Sequence, residues 1–258
     1  MSTSFATSID GHRIAYDVSG SGAPIVLLHG GGRDRQDWHT AGYVERLKRN
    51  FRVITVDIRG NGESDRPIDA TSYTTDRHCQ DILAVADAVG IERFAVWGFS
   101  YGANVGRYLA AQSARVTKFV MVGIPFGPAA PGDFGQFIRG LRDHWAPILQ
   151  ARADGTLNLQ SLSPEDQTRL QTGEILLRLA WLTAMLGWAP VEPGDVLCPT
   201  LWLVGTRNDP ALASTEEYGP VLSQTKVRVQ LMEALNHRQE FTEIDKVLPP
   251  VLAFVQPQ

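Results

Sequence analysis

Short apolar runs separated by turn residues recur along the chain, and their periodicity changes after the first twenty positions. Segments 5–9 and 13–18 flank Asp10-Gly11, two residues that tolerate positive φ, which predicts an antiparallel hairpin. The breaker Ser19-Gly20-Ser21-Gly22 follows. Beyond it, 24–28 is continuously apolar, the mark of a strand buried on both faces. Comparable runs stand at 51–56, 94–97, 118–122, 200–204 and 227–232. Helical patterns lie between them. Segment 76–89 puts Ile82, Leu83, Val85, Ala86 and Val89 on one broad face, and 101–112 is rich in small residues. Segment 241–255 is helical in pattern but carries Pro249-Pro250, where a kink or break is expected. Strands alternating with helices predict an α/β fold with an about eight-stranded, mostly parallel sheet flanked by helices.

One region interrupts the alternation. Segment 125–193 shows no strand pattern and holds Trp145, Trp181 and Trp188, three of the six tryptophans. It is expected to be a helical cap insertion, leaving 1–124 and 194–258 as one core domain. At 43% hydrophobic and 20% charged residues the 258-residue chain has globular composition, not that of a disordered or fibrous chain. A formal net charge of −4 does not suit a general nucleic-acid binder. Cys79 and Cys198 have no metal-binding spacing and are expected to be small buried residues in a reducing cytoplasm. The first residues lack a cationic start followed by an apolar run, so no secretory signal is expected. The most apolar long stretch, 175–188, contains Arg178 and is too short to span a bilayer, so no membrane partner is expected.

Two glycine-rich turns carry candidate chemistry. Gly98-Phe99-Ser100-Tyr101-Gly102 follows the run 94–97 and precedes a helical pattern, the strand–turn–helix context in which G-x-S-x-G projects a serine from the end of a strand. Side chains two places either side of that serine would clash in so tight a turn, hence the glycines. The backbone N–H groups after it open a helix and can bind developing negative charge. His29-Gly30-Gly31-Gly32 follows the run 24–28, and its glycines allow close approach of backbone to a ligand.

With Asp57-Ile58-Arg59-Gly60-Asn61-Gly62-Glu63-Ser64, which has the form D-x-R-G-x-G-x-S, these motifs resemble the α/β-hydrolase family over nearly the whole chain, and its esterase-like serine branch in particular. The resemblance implies that Ser100 is the nucleophile, that Gly31 and Tyr101 supply the oxyanion-hole N–H groups, and that Asp57 and its glycines set loop geometry. A serine hydroxyl needs a base and an orienting acid, which in this fold follow in the order serine, acid, histidine. Of six histidines, His237 in Leu235-Asn236-His237-Arg238 matches the family's histidine loop. The acid is expected after the run 200–204, in Gly205-Thr206-Arg207-Asn208-Asp209-Pro210. The family's usual spacing falls on Asn208, so Asp209 is the candidate with one residue inserted; Asp133 is the next. Trp38, Phe126, Trp145, Trp181 and Trp188 are expected to line an apolar or aromatic substrate pocket. No cofactor or metal is implied, and the partner is a small-molecule substrate.

The expected function is cleavage of an ester or related carbonyl compound through an acyl-enzyme. Lactone hydrolysis, C–C bond hydrolysis and perhydrolysis would use the same residues. A ligand-sensing protein with minor turnover is the alternative of a different class. Epoxide hydrolases and haloalkane dehalogenases of this fold use an aspartate nucleophile, against which Ser100 argues. A dinucleotide-dependent oxidoreductase would need G-x-G-x-x-G after a strand, and neither Gly-rich turn completes it.

Overall fold

The computed structural model describes residues 3–256. Eight strands form one sheet: β1 (Ser4–Thr7), β2 (Arg13–Ser19), β3 (Ala23–Leu28), β4 (Phe51–Val56), β5 (Phe94–Phe99), β6 (Val116–Val122), β7 (Thr200–Gly205) and β8 (Val227–Met232). Their spatial order is β1-β2-β4-β3-β5-β6-β7-β8. β1 and β2 form the expected antiparallel hairpin, and β2 pairs antiparallel with β4; every later pairing is parallel. β1 ends at Thr7, earlier than the pattern suggests, because Ser8 and His12 close the turn by a backbone hydrogen bond of 2.8 Å.

The helices are α1 (Gln36–Thr40), α2 (Tyr43–Leu47), α3 (Thr75–Ala88), α4 (Tyr101–Gln112), α5 (Gly132–Ala153), α6 (Pro164–Thr172), α7 (Glu174–Met185), α8 (Asp209–Leu222), α9 (Gln239–Thr242) and α10 (Ile244–Val255). The continuous apolar runs serve two cores. Val26, Leu28, Val96, Phe119 and Met121 join the cluster that includes residues of α3 and α4. Ile25, Leu27, Trp97, Val120 and Val122 join the opposite cluster with residues of α1, α2 and α10. Strand side chains alternate between faces, so a run that is apolar at every position can satisfy both. Each fully buried aliphatic side chain contributes roughly 1.5–3 kcal/mol.

α10 corrects the expectation of a break at Pro249-Pro250. The helix runs through both prolines, and the interruption falls earlier, at Glu243 (φ −87°, ψ 61°). The two prolines remove backbone donors, but Val247, Leu248, Val251 and Val255 anchor the helix in the core and offset that loss.

Between β6 and β7 the chain forms α5, α6 and α7 and no strand, only a single bridge between Gly127 and Val191. Ser163 caps α6, accepting from the Asp166 N–H at 3.1 Å, and Pro164 occupies its first turn. Trp145, Leu170 and Ile175 form a separate small core within this insertion. No helix among the described residues is long and apolar enough to cross a membrane.

Candidate active site

The turn from β5 to α4 holds Ser100 at φ 52° and ψ −115°, a conformation a side chain rarely adopts. The turn is fixed from both sides. The Ser100 N–H donates to the Val122 carbonyl at 2.9 Å, and its carbonyl accepts from the Asn104 N–H at 2.9 Å. The flanking glycines are required by space. A Cβ on Gly98 would lie 2.4 Å from the Gly102 carbonyl oxygen, and one on Gly102 would lie 2.2 Å from the Leu28 oxygen. Those contacts press α4 against the end of β3, where the His29-Gly30-Gly31-Gly32 loop begins.

His29, the first residue of that loop, is held away from the cleft. His29 is fully buried; its Nε2 accepts from the Ile58 N–H at 3.0 Å, so its Nδ1 carries the proton and donates to the Gly30 carbonyl at 2.8 Å. Burial lowers its pKa and keeps it neutral. Asp57 accepts from the Arg35 N–H at 2.7 Å and the Glu63 N–H at 2.8 Å, and pairs with the buried Arg35 guanidinium, which also binds Asp17 at 2.8 Å. Asp57 therefore ties β4 to the loop before α1 and takes no part in the cleft. Gly31 itself borders the cleft with Ser100: a Cβ there would stand 3.4 Å from Tyr101 Cβ and 3.1 Å from the Trp181 ring. The Gly31 N–H donates to no described acceptor. The Tyr101 N–H, first in α4, has no intrahelical partner. Two unengaged donors thus stand beside Ser100.

The loop after β8 brings His237 to the same point. Its Nε2 lies 3.1 Å from Ser100 Oγ, and its ring stacks on Phe99 at 5.1 Å between centroids. The segment is tied by three hydrogen bonds: Asn236 and Gln239 exchange side-chain-to-backbone bonds of 3.1 and 3.0 Å, and the Glu240 N–H donates to the Asn236 carbonyl at 3.0 Å.

The carboxylate expected at Asp209 is not brought to His237. Asp209 is exposed in the first turn of α8 and makes no described side-chain hydrogen bond or ion pair. Pro210 follows it in the first turn of α8, and Asp209 borders the same cleft beside Asn208 without pairing with His237. Asp133 likewise has no bonded partner. The group facing His237 Nδ1 is Glu240, 3.4 Å away and with its side chain wholly buried. Its carboxylate accepts from the Gly205 N–H at 2.6 Å and from Asn208 Nδ2 at 2.8 and 3.1 Å. A residue sought between serine and histidine in chain order misses Glu240; its spacing of three from His237, one helical turn, is the sequence signal that points to it.

The aromatic residues separate as well. Trp38 packs with Tyr43, Trp97 and Phe241 in the core beneath the sheet. Phe126 packs on Trp202, Trp145 lies inside the insertion's own core, and Trp188 donates its indole N–H to the Tyr73 carbonyl at 2.9 Å. Those four are buried packing residues. Of the five, only Trp181, on α7, borders the cleft, with its ring 4.9 Å from that of Tyr101; Tyr101 and Phe134 border it as well. The cleft has a volume of about 1110 Å³ and is bordered by Gly31, Ser100, Asn104, Trp181, Met185 and His237. Asn104, one turn after Ser100, is a lining residue the motifs do not reveal; its Oδ1 has no hydrogen-bond partner.

Residues 23–167 match the family model described as the alpha/beta hydrolase fold. A soluble epoxide hydrolase from Corynebacterium sp. strain C12 is 30% identical over 119 residues, 45% of this chain and 40% of that protein. The match therefore spans less than half the length of that relative. A probable proline iminopeptidase from Streptomyces coelicolor is 32% identical over 207 residues, 72% of this chain and 61% of the relative. Among solved structures, an esterase from Exiguobacterium antarcticum superposes with a TM-score of 0.73 at 20% identity, covering 99% of this chain and 100% of that one, which shows a shared fold.

Proposed function

The chain belongs to the alpha/beta hydrolase fold family, and from that premise we propose that it is a serine hydrolase that cleaves an ester or related carbonyl compound through an acyl-enzyme on Ser100. The observation that carries this function is the 3.1 Å approach of His237 Nε2 to Ser100 Oγ beside two unengaged backbone donors. As Oγ attacks the carbonyl carbon, its proton passes to His237 Nε2. The carbonyl π bond breaks, and the negative charge on oxygen is met by the Gly31 and Tyr101 N–H groups. His237 then returns the proton to the leaving alkoxide. A water molecule, deprotonated in turn by His237, attacks the acyl carbon and releases the acid and free Ser100.

An epoxide hydrolase is among the relatives, and the elbow residue separates that chemistry from this one. A carboxylate that opens an epoxide becomes an ester, which water can cleave at its carbonyl. A serine that opened an epoxide would become an ether, with no carbonyl for water to attack. Ser100 at the elbow therefore favours acyl transfer, where the serine-bound intermediate is itself an ester. Segment 125–193 serves as the cap: Trp181 stands over Gly31 and Tyr101 and gives the cleft an apolar wall. Bulky acyl or alcohol groups would gain roughly 25 cal/mol per Å² of apolar surface buried there.

Fluorophosphonate labelling and hydrolysis of p-nitrophenyl esters and lactones, run on wild type and Ser100→Ala side by side, test this function. One label on the wild type and none on the variant is expected, with esterase turnover falling by about 10³-fold or more. Equal labelling or equal turnover of the two proteins would refute it. Labelling of Ser100 with negligible turnover on the whole panel would favour a ligand-sensing role.

A further inference from the structure

We infer that Glu240 is the residue that positions His237, with Asn208 holding the Glu240 carboxylate in place; this rests on the reading of His237 as the base for Ser100. Nε2 can accept the Ser100 proton only if it is unprotonated, so the neutral ring must carry its hydrogen on Nδ1. That N–H needs an acceptor. Two groups lie within reach, Glu240 Oε2 at 3.4 Å and the Asn208 side-chain amide at 3.5 Å.

The surroundings decide between them. The Asn208 amide nitrogen also lies 2.8 and 3.1 Å from the two Glu240 oxygens and 3.3 Å from the Gly123 carbonyl. A carboxylate and a carbonyl only accept, so the atom that faces all three must be the NH₂. An amide NH₂ and a ring N–H are both donors and cannot bond each other. Glu240 is the acceptor that remains. The Gly205 N–H, at 2.6 Å from Oε1, and the Asn208 NH₂ hold the Glu240 carboxyl group in a wholly buried position. The distance of 3.4 Å is long for the resting state, and such contacts tighten when the imidazolium forms.

The arrangement also accounts for Asn208. A carboxylate there would face Glu240 at about 3 Å, two like charges in a buried site. The amide replaces that repulsion with a hydrogen bond. The chain order serine, histidine, acid thus replaces serine, acid, histidine, while the base keeps a carboxylate on its far side.

Two measurements test the inference. The first reads the contact itself: the Nδ1–H resonance of His237, by ¹⁵N-edited NMR of the full chain. A protected downfield signal is expected in the wild type and in Asp209→Asn, and its loss or large upfield shift in Glu240→Gln. An unchanged signal in Glu240→Gln overturns the inference, as does its loss in Asp209→Asn. The second is kinetic. Glu240→Gln should lower kcat for p-nitrophenyl acetate by about 10³- to 10⁴-fold with little change in KM, because only the base is affected. Asp209→Asn should cost far less. Adding Asn208→Asp to Glu240→Gln exchanges amide and carboxylate and should recover kcat at least about tenfold over Glu240→Gln alone. If Glu240→Gln does not fold, the double variant retains the donor and acceptor inventory and carries the test; a folded double variant as inactive as Ser100→Ala overturns the inference. Failure of the serine-hydrolase reading shows up separately, as wild-type activity that survives Ser100→Ala, and leaves the NMR outcome to decide the Glu240 contact.

Discussion

Acid should destabilise this protein through His78, and replacing that residue should remove a calculable part of the effect. His78 sits on α3 with about 1% exposure, its Nε2 2.9 Å from the Tyr101 hydroxyl and its ring 5.4 Å from that of Trp188 and 5.9 Å from that of Tyr73. Its Nδ1 has no hydrogen-bond partner. Among the described residues the charge that acts on it is the Arg59 guanidinium, which also opposes protonation. Burial, with Arg59 second, lowers its pKa from 6.5 to about 3. The native pKa lies below the unfolded one, so the unfolded chain binds a proton that the native chain refuses. Above about pH 6.5 both states are neutral and the residue has no pH effect. As pH falls the penalty grows, and it levels off below about pH 3. Linkage at about 1.4 kcal/mol per pH unit gives about 2 kcal/mol at pH 5 and about 5 kcal/mol in full.

Such a loss is large against a typical folding stability of roughly 5–15 kcal/mol. It also falls beside the proposed nucleophile Ser100, because Tyr101 follows it. Urea titrations of wild type and His78→Gln at pH 7.5 and pH 5.0 provide the assay. At pH 7.5 the variant should be the less stable, having lost packing among three aromatic rings. Between the two pH values the difference should move by about 2 kcal/mol in the variant's favour, or about 4–8 °C in Tm for a chain of this size. His29, whose pKa burial also lowers, is present in both proteins and cancels. A stability difference that is the same at both pH values would refute the reasoning.

Two further outcomes follow from the cleft and its supports. Gly102→Ala would bring a Cβ within 2.2 Å of the Leu28 oxygen and 2.6 Å of the His29 oxygen, so the Gly31 loop must move away from Tyr101. A variant that still melts cooperatively should lose about 10²- to 10³-fold in kcat, as for loss of one oxyanion donor, in a p-nitrophenyl acetate assay. Trp181→Ala should change the ranking of acetate against bulky esters, measured as kcat/KM. Trp145→Ala should leave that ranking alone and cost about 3–5 kcal/mol of stability, because its side chain fills the insertion's core.

The sheet and the sharp turn that carries Ser100 were legible in the sequence because both depend on local order. Short apolar runs such as 25–28 and 119–122, bounded by turn residues, fit strands buried on both faces, and strand, glycines and helix converge on Ser100 within a few residues. His237 was legible for the same reason, as the one histidine after the last strand. What surrounds it was not. Whether Asp209, Asn208 or Glu240 faces His237 depends on how the loops after β7 and β8 pack on each other, and a single residue of register there moves a carboxylate from a buried contact to solvent. The tryptophans pose the same problem: an aromatic ring satisfies a core or a pocket wall equally well by its composition. Trp38 and Trp145 went inward and Trp181 faced the cleft because three-dimensional packing left space beside only one of them. Sequence determines which residues can form strands and turns, since those rest on neighbours a few positions apart. Which side chain meets another across 30 or 130 positions rests on competition for buried volume and hydrogen-bond partners, and that is decided only when the tertiary structure closes.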